Sequence, residues 1–283
     1  MLNYVITGLT VGSIIALAAI GLSLSYGILK FANLSHGDLL TTAAFMGFAL
    51  ERISGNIYFA VVGTILGSIL IGITMEKFLW RKLRKKGSSA ATKVIASLGI
   101  AIVLRHVIMA IAGPRVKFYD TAGSILRFRG ININTIQIII LGTAIATMLF
   151  ITYILKYTKL GKALRATSEE PDLAKVTGIN INKVINLMWV ISMGVTGLAG
   201  VLYGLQTSLR PDMGFYLLIP LFAAVFLGGI GNPFGAMLGG FFIGLAQDLS
   251  LIYLPSQYKI AVSFLIIIII LIFKPKGLFG GIT

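Results

Sequence analysis

Four groups of polar residues interrupt long apolar stretches of the sequence and are the first candidates for chemistry. They are Asn33-Leu-Ser-His-Gly-Asp38, Arg105-His106, Gln206 and Gln247-Asp248. Ionisable side chains inside a bilayer are expensive and usually face a bundle interior or a solute pathway. Carboxylate, imidazole and amide groups there could bind a proton, a cation or a polar solute. We predict a solute pathway lined by Asn33, His36, Asp38, Gln206, Gly229, Gly231 and Asp248.

Structural roles compete with a pathway role at three of these positions. Asp38 could instead cap a helix at the inner surface, because Ser35 and Gly37 suit a helix start. Arg105 could snorkel or form a structural ion pair with Asp248 on another helix, and we favour this structural role. For Asp38 and Asp248 both roles stay open.

Residue types and spacings argue against the common enzyme sites. The chain has no cysteine and two histidines, so it lacks a thiol nucleophile and a histidine-rich metal centre. A nucleotide-cradling loop needs Gly-x-x-x-x-Gly-Lys-Ser/Thr, and Gly161-Lys-Ala163 lacks both the first glycine and the hydroxyl. Neither His-Glu-x-x-His nor Gly-x-Ser-x-Gly occurs. We expect no catalytic residue, no metal site and no cofactor in this chain.

The composition predicts a polytopic membrane protein. Of 283 residues, 57% are hydrophobic and 12% are charged, and the mean hydropathy is +0.95. Apolar runs recur along the chain, at 2–29, 53–75, 94–112, 130–155, 184–209, 213–247 and 260–273. Such runs are typical of spanning helices. We predict an all-α transmembrane bundle of about eight or nine spans with broken helices, forming a single domain over 1–283.

Charge placement indicates the surroundings and the orientation. The formal net charge is +15, but the basic residues lie between apolar runs, so we expect a lipid bilayer and not nucleic acid as partner. With nine spans and the N-terminus outside, inner segments hold 16 Lys/Arg and outer segments seven, and Arg105 lies within a span. This count places 156–183 and the C-terminus in the cytoplasm. If 37–50 is re-entrant, the N-terminus moves inside.

Two stretches are expected to break helices. The run from 37 to 50 is short and predicts a short span or a half-helix. The stretch Leu227-Gly-Gly-Ile-Gly-Asn-Pro-Phe-Gly235 should unwind or turn the backbone. Breaks in opposite halves are typical of inverted-repeat transporters, although no sequence repeat supports that symmetry. Gly-x-x-x-Gly spacings, such as 8–12 and 240–244, predict close helix packing.

The polar segment 156–183 predicts a short helix outside the membrane. It carries six of the 24 Lys/Arg and three of the nine Asp/Glu. Pro171 suits a first helical turn, and Glu169, Glu170 and Asp172 place negative charge at the positive helix end. Gly178 can adopt the left-handed conformation that ends a helix. We predict a helix over about Pro171 to Thr177.

Several motifs resemble the permeases of high-affinity branched-chain amino-acid ABC importers. Asp172-Leu-Ala-x-x-x-Gly178 is similar to the Glu-Ala-Ala-x-x-x-Gly loop of ABC importer permeases, with Asp and Leu as departures. Four further stretches resemble the family in the same order along the chain: Gly8–Asp38, Leu160-Gly-Lys-Ala-Leu-Arg-Ala166, 227–235 and Pro275-Lys-Gly-Leu-Phe279. Ser35 replaces the usual alanine. The resemblance covers essentially the whole chain.

The resemblance implies a division of labour in a bacterial inner-membrane importer. Its partners would be a second homologous permease, two cytoplasmic ABC ATPases that bind the ATP, and an extracytoplasmic amino-acid-binding protein. Its substrates would be branched-chain or other neutral amino acids, with urea or amides carried by some relatives. It assigns ATPase coupling to Arg165, Glu169, Glu170, Asp172, Ala174 and Gly178, with Ala174 as the small docking residue and Gly178 as the end of a lever.

Two other transport classes stay open on the residues alone. An ion-coupled secondary transporter of small polar solutes would use Asp38, His36 or Asp248 and would work without companion chains. A passive channel would not accumulate its solute.

Overall fold

The computed structural model describes residues 1–120, 123–128 and 131–280, and most of them are helical. The helices are α1 (Leu2–Leu29), α2 (His36–Ser54), α3 (Ile57–Met75), α4 (Arg81–Lys85), α5 (Ala90–Ala112), α6 (Thr135–Tyr157), α7 (Lys159–Glu169), α8 (Pro171–Val176), α9 (Ile181–Gln206), α10 (Met213–Gly228), α11 (Pro233–Ser250) and α12 (Lys259–Phe273). A π-helical turn, Glu76–Trp80, joins α3 to α4, and a 3-10 turn, Ser256–Tyr258, precedes α12. The all-α prediction is confirmed.

The loop after α5 contains a small hairpin. Strand β1 (Ile125–Phe128) pairs antiparallel with β2 (Ile131–Asn134). Before the hairpin, the Tyr119 hydroxyl donates to the Ala44 carbonyl at 2.7 Å. Burial, together with the nearby Glu51 carboxylate, raises the pKa of Tyr119. The phenol therefore stays protonated and ties this loop to α2.

Six helical stretches in the described residues are long and apolar enough to cross a membrane. They are Leu2–Leu29, Ile57–Lys85, Ala90–Ala112, Thr135–Tyr157, Ile181–Gln206 and Ser256–Phe273. The helices α2, α10 and α11 are shorter or less apolar. The outer helices expose wide apolar faces; on α3, Val62, Leu66 and Leu70 are 57%, 62% and 65% exposed. Such faces suit lipid contact, and the chain is a multi-pass membrane protein.

Helix α1 lies at the centre of the bundle and crosses α11 through small residues. A Cβ built on Gly244 would lie 2.2 Å from the Gly12 Cα, and one on Gly240 would lie 2.3 Å from the Ala16 Cα. Backbones can approach this closely only where side chains are absent. The close packing predicted from the Gly-x-x-x-Gly spacings is confirmed.

Helices α1–α3 and α9–α11 form two triplets that run in opposite directions. Between the two triplets, α1 packs on α11, and α3 packs on α9. The middle helices α2 and α10 begin beside each other, because a Cβ on Gly37 would lie 2.1 Å from the Gly214 oxygen. The His36 Nε2 atom is 3.0 Å from the Ala18 carbonyl, well inside α1. This arrangement is typical of inverted-repeat transporters.

We call the end of the bundle that holds 156–183 the basal end, and the other the distal end. Helices α2 and α10 meet at their first turns. From there α2 runs to the distal end and α10 runs to the basal end. The break before α10, residues 207–212, was not predicted. The glycine-rich stretch 227–235 does interrupt the apolar run, and it does so as the turn between α10 and α11 at the basal end, one of the two outcomes predicted for it.

The buried carboxylate of Glu76 joins α3 to α9. Its side chain is 3% exposed. It accepts hydrogen bonds from Trp189 Nε1 at 3.0 Å and from Arg84 Nη1 at 3.1 Å. The π-helical turn that begins at Glu76 leads the chain into α4, which carries Arg84.

Replacing Trp189 with Phe is expected to lower the free energy of unfolding by about 1–3 kcal/mol beyond the packing loss, because a buried acceptor loses its donor. Trp80 provides the matched control. Its side chain is equally buried, and its Nε1 has no hydrogen-bond partner among the described residues. Thermal unfolding in detergent should show a larger loss for Trp189→Phe than for Trp80→Phe. Equal losses would contradict the role given to this hydrogen bond.

Candidate functional site

Helix α7 packs against the basal ends of α1 and α6. The Thr158 hydroxyl begins it by accepting from the Gly161 N–H at 3.2 Å. Gly161 allows close contact with α6, since a Cβ there would lie 2.1 Å from the Leu155 oxygen. The Ser168 hydroxyl donates to the Gly27 carbonyl of α1 at 3.0 Å. The sequence analysis did not predict α7 as a separate helix.

Helix α8 is the short helix predicted from the sequence. It spans Pro171–Val176 with Thr177 as its C-cap. Gly178 has a φ of 87°, and the following Ile179 N–H donates to the Ala174 carbonyl at 3.0 Å. The proline start and the left-handed glycine end are both confirmed.

The exposed face of α8 carries two apolar side chains. Ala174 is 3% exposed, whereas Leu173 is 62% exposed and Val176 is 84% exposed. The Ala174 methyl group packs inside this chain, and its assignment as the small docking residue stays a prediction. We call Leu173 and Val176 the α8 tip. Two exposed apolar side chains on a polar segment are typical of a protein-binding surface.

The charged residues predicted for coupling occupy different environments. Arg165 Nη1 donates to the Leu155 carbonyl, so this cation stabilises the C-terminus of α6. Glu169 ends α7, and Glu170 links α7 to α8, with its N–H donating to the Ala166 carbonyl at 3.0 Å. Glu169, Glu170 and Asp172 are exposed, as is Lys175 on α8 itself. Of the charged residues predicted for coupling, the three carboxylates are therefore exposed around α8, whereas Arg165 is held by the α6 carbonyl.

A cavity of about 280 Å³ lies at the basal end between α1, α7 and the α10–α11 turn. Lys30, Glu169 and Gly231 are among its lining residues. Gly229 and Gly231 have φ values of 103° and 79°. Of these two predicted pathway residues, Gly231 shares the cavity with Glu169, and Gly229 packs against Gly277 and Gly280 near the C-terminus.

Asn33 and His36 are buried at the entry to α2, and each keeps one polar atom, Asn33 Nδ2 and His36 Nδ1, without a hydrogen-bond partner among the described residues. They are 1% and 0% exposed. The Asn33 Oδ1 atom accepts from the Ser35 N–H at 3.2 Å and from the Ser35 hydroxyl at 2.6 Å. His36 Nε2 contacts the Ala18 carbonyl. Their geometry suits positioning α2, and solute contact by these two residues stays a prediction.

Asp38 and Arg105 form a bidentate ion pair between α2 and α5. Arg105 Nε lies 3.1 Å from Oδ1, and Nη2 lies 3.2 Å from Oδ2. The expected pairing of Arg105 with Asp248 is wrong. Asp248 is 1% exposed and contacts Lys259 Nζ on α12. The reason is the packing: α5 lies against α2, while α11 lies against α1, α10 and α12.

One predicted pathway residue, Gln206, and two residues that were not predicted, Phe215 and Lys259, remain to be placed. Gln206 is the last residue of α9 and is half-buried. The sequence analysis missed Phe215, whose ring centroid lies 4.9 Å from the Arg105 guanidinium carbon. It also missed Lys259. Within the described ranges, no three His, Asp or Glu side chains are arranged to hold a metal ion.

Comparisons with known proteins identify the family. Residues 4–271 match the family model described as "Branched-chain amino acid transport system / permease component". The chain is 31% identical to the high-affinity branched-chain amino acid transport system permease protein BraD of Pseudomonas aeruginosa, over 99% of this chain and 95% of BraD. It is 32% identical to the permease protein LivH of the corresponding system of Escherichia coli, with the same coverage.

A solved structure has a similar fold. PsaBC from Streptococcus pneumoniae in complex with Fab matches with a TM-score of 0.52 and 19% identity, over 97% of this chain and 92% of that chain. At that identity the likeness concerns the fold alone. The family match and the full-length relatives together show that the chain belongs to the family of permease components of branched-chain amino acid transport systems.

Proposed function

We propose that this chain is the transmembrane permease subunit of an ABC importer for branched-chain or other neutral amino acids. It lies in the bacterial inner membrane and is driven by separate ATPase subunits that dock on 156–183. The α8 tip carries this proposal, because it presents two exposed apolar side chains on a short helix that begins at Pro171 and is followed by the left-handed Gly178, in a chain of this family.

The proposed complex contains a second homologous permease, two cytoplasmic ABC ATPases and an extracytoplasmic amino-acid-binding protein. The ATPases bind the ATP, since the sequence of this chain lacks a nucleotide-cradling loop. The resemblance of Asp172-Leu-Ala-x-x-x-Gly178 to an ATPase-docking loop supports their place at the basal end.

In the proposed topology the chain crosses the membrane nine times. The crossings are α1, residues 30–54, α3, α5, α6, α9, residues 207–228, α11 and α12, and successive crossings alternate in direction. The distal end and the N-terminus are outside, and the basal end and the C-terminus are cytoplasmic. The excess of Lys and Arg in the basal segments supports this orientation.

The proposed coupling route runs from α8 to the meeting point of α2 and α10. On one side α8 continues directly into α9, which Asn180 caps by accepting from the Lys183 N–H at 3.1 Å. On the other side α7 is fastened to α1. Both α1 and α9 contact His36, through the Ala18 carbonyl and the Thr196 hydroxyl, the latter at 3.4 Å. A rigid movement of α8 would therefore reach the start of α2 through packed helices.

We expect this chain to co-purify with ATPase subunits and the reconstituted complex to accumulate leucine only with ATP and the binding protein present. Ionophores that collapse H⁺ and Na⁺ gradients should leave the uptake unchanged. Uptake by the purified chain alone on an ion gradient would contradict the proposal and favour the secondary transporter that uses Asp38, His36 or Asp248. Equilibration without accumulation would indicate a channel. The chain belongs to a family of transport-system components, and this argues against both the secondary transporter and the channel.

A further inference from the structure

We propose that the Arg105–Asp38 pair, with Phe215 beside it, recognises the zwitterionic head group of the transported amino acid. This inference rests on the proposed function and names the site at which the permease itself meets its solute. Arg105 would receive the α-carboxylate, Asp38 the α-ammonium, and the aromatic residues at the start of α10 the apolar side chain.

The depth and exposure of the pair argue for a pathway. At 1.5 Å per residue, Arg105 lies about 22 Å from the Ala90 end of α5 and about 10 Å from the Ala112 end. Its side chain is 22% exposed, whereas that of Asp38 is 2% exposed. Ionisable side chains at this depth almost always face a bundle interior or a water-filled cavity, because contact with lipid is costly. On this ground the proposal places the open side of Arg105 on a polar pathway.

Two neighbouring aromatic residues form an apolar surface beside the open side of Arg105. The Phe215 ring stands 4.9 Å from the guanidinium carbon, and Tyr216 meets that ring edge-on with centroids 5.9 Å apart. Both side chains are 48% exposed. An apolar, exposed surface thus adjoins a charged pair, as the two parts of a neutral amino acid adjoin each other.

The charges of the pair match those of the solute. The planar guanidinium binds carboxylates through two parallel N–H donors, and Arg105 already holds Asp38 in this way. An arriving zwitterion offers the same carboxylate to Arg105 and an ammonium to Asp38, so no charge is left unpaired during the exchange. The N-termini of α2 and α10, which meet at Gly37 and Gly214, add positive potential for the carboxylate.

A single cysteine tests the site directly, because the chain has none of its own. In the complete complex carrying Tyr216→Cys, a charged methanethiosulfonate reagent should modify the thiol, and leucine should slow the modification. The analogue 4-methylpentanoate lacks the ammonium, and 3-methylbutylamine lacks the carboxylate. Each should need a concentration about 10- to 100-fold higher for the same protection, the loss expected for one charge-assisted contact.

The second variant carries Arg105→Lys together with Tyr216→Cys. The lysine keeps the positive charge but loses the planar pair of N–H donors of the guanidinium. Leucine protection should weaken by at least about tenfold, with the thermal midpoint of the complex nearly unchanged. Val62→Cys on the lipid-facing side of α3 is the control and should react slowly and without response to leucine.

Equal protection by the two analogues, an unreactive Tyr216→Cys thiol, or unchanged protection in Arg105→Lys would each overturn the site. ATP-driven leucine uptake, measured on the same complexes, separates the two proposals. Uptake without protection would reject the site and keep the proposed function, whereas a wild-type complex that takes up no leucine would reject both.

Discussion

Replacing both Leu173 and Val176 with Asp is expected to abolish ATP-driven amino-acid uptake and co-purification with the ATPase. These side chains are 62% and 84% exposed in the isolated chain, so their replacement removes no internal contact. In a docked complex they would fill a pocket, where losing one central anchor costs about 2–4 kcal/mol, or about 30- to 1,000-fold in affinity. Two carboxylates would add the cost of desolvating charge.

Two controls separate docking from folding in this experiment. Lys274→Asp changes an exposed charge just after α12, outside the docking segment 156–183, and should leave uptake within about twofold, as is usual for exposed surface changes. Leu173→Ala with Val176→Ala should give an intermediate loss. The thermal midpoint of the permease should stay constant throughout. Full uptake by the double Asp variant would remove α8 from the coupling route and with it the main support for the proposed function.

The second large effect is expected at the crossing of α1 and α11. Gly244→Leu should prevent recovery of folded protein, because its Cβ would lie 2.2 Å from the Gly12 Cα. Overpacking in a core usually costs about 1–3 kcal/mol, and more where the colliding atoms cannot move. Here the colliding atoms belong to the backbone of the central helix, so the two helices must separate.

Gly142→Leu on α6 is the matched control, because a Cβ there meets no atom within 4 Å. Leucine favours helix over glycine by up to about 1 kcal/mol, so this variant should be as stable as the parent or slightly more stable. Yield of monodisperse protein in detergent and the thermal midpoint measure both variants. If Gly244→Leu matched Gly142→Leu in both readouts, the close crossing of α1 and α11 would be refuted.

Structural features that depend on a few neighbouring residues were predictable from the sequence. Pro171 and Gly178 predicted both ends of α8 because each acts on the backbone of its own turn. The spacing of Gly240 and Gly244 predicted a close crossing because small residues four apart share a helix face. The apolar runs likewise predicted the long helices α1, α3, α5, α6, α9 and α12.

Features that depend on the relative position of distant helices were not predictable in the same way. Arg105 lies 67 residues from Asp38, and nothing local distinguishes Asp38 from Asp248 as its partner. The burial of Ala174 could not be predicted because a helix of six residues has too few positions to define an apolar face. The break before α10 at 207–212 contains no glycine and was not predicted, whereas the glycine-rich 227–235 was predicted to unwind or turn the backbone and forms a turn.

The pairing of Asp38 with Arg105 has a consequence for biogenesis. The ribosome adds Asp38 67 residues before its partner, a delay of roughly 3–13 s at elongation rates of about 5–20 residues per second. Until α5 leaves the translocon, α2 carries a carboxylate that hydrocarbon does not tolerate. Helix α2 is therefore expected to wait at the membrane surface or within the translocon, and to enter its final position only after the helices that flank it have been inserted.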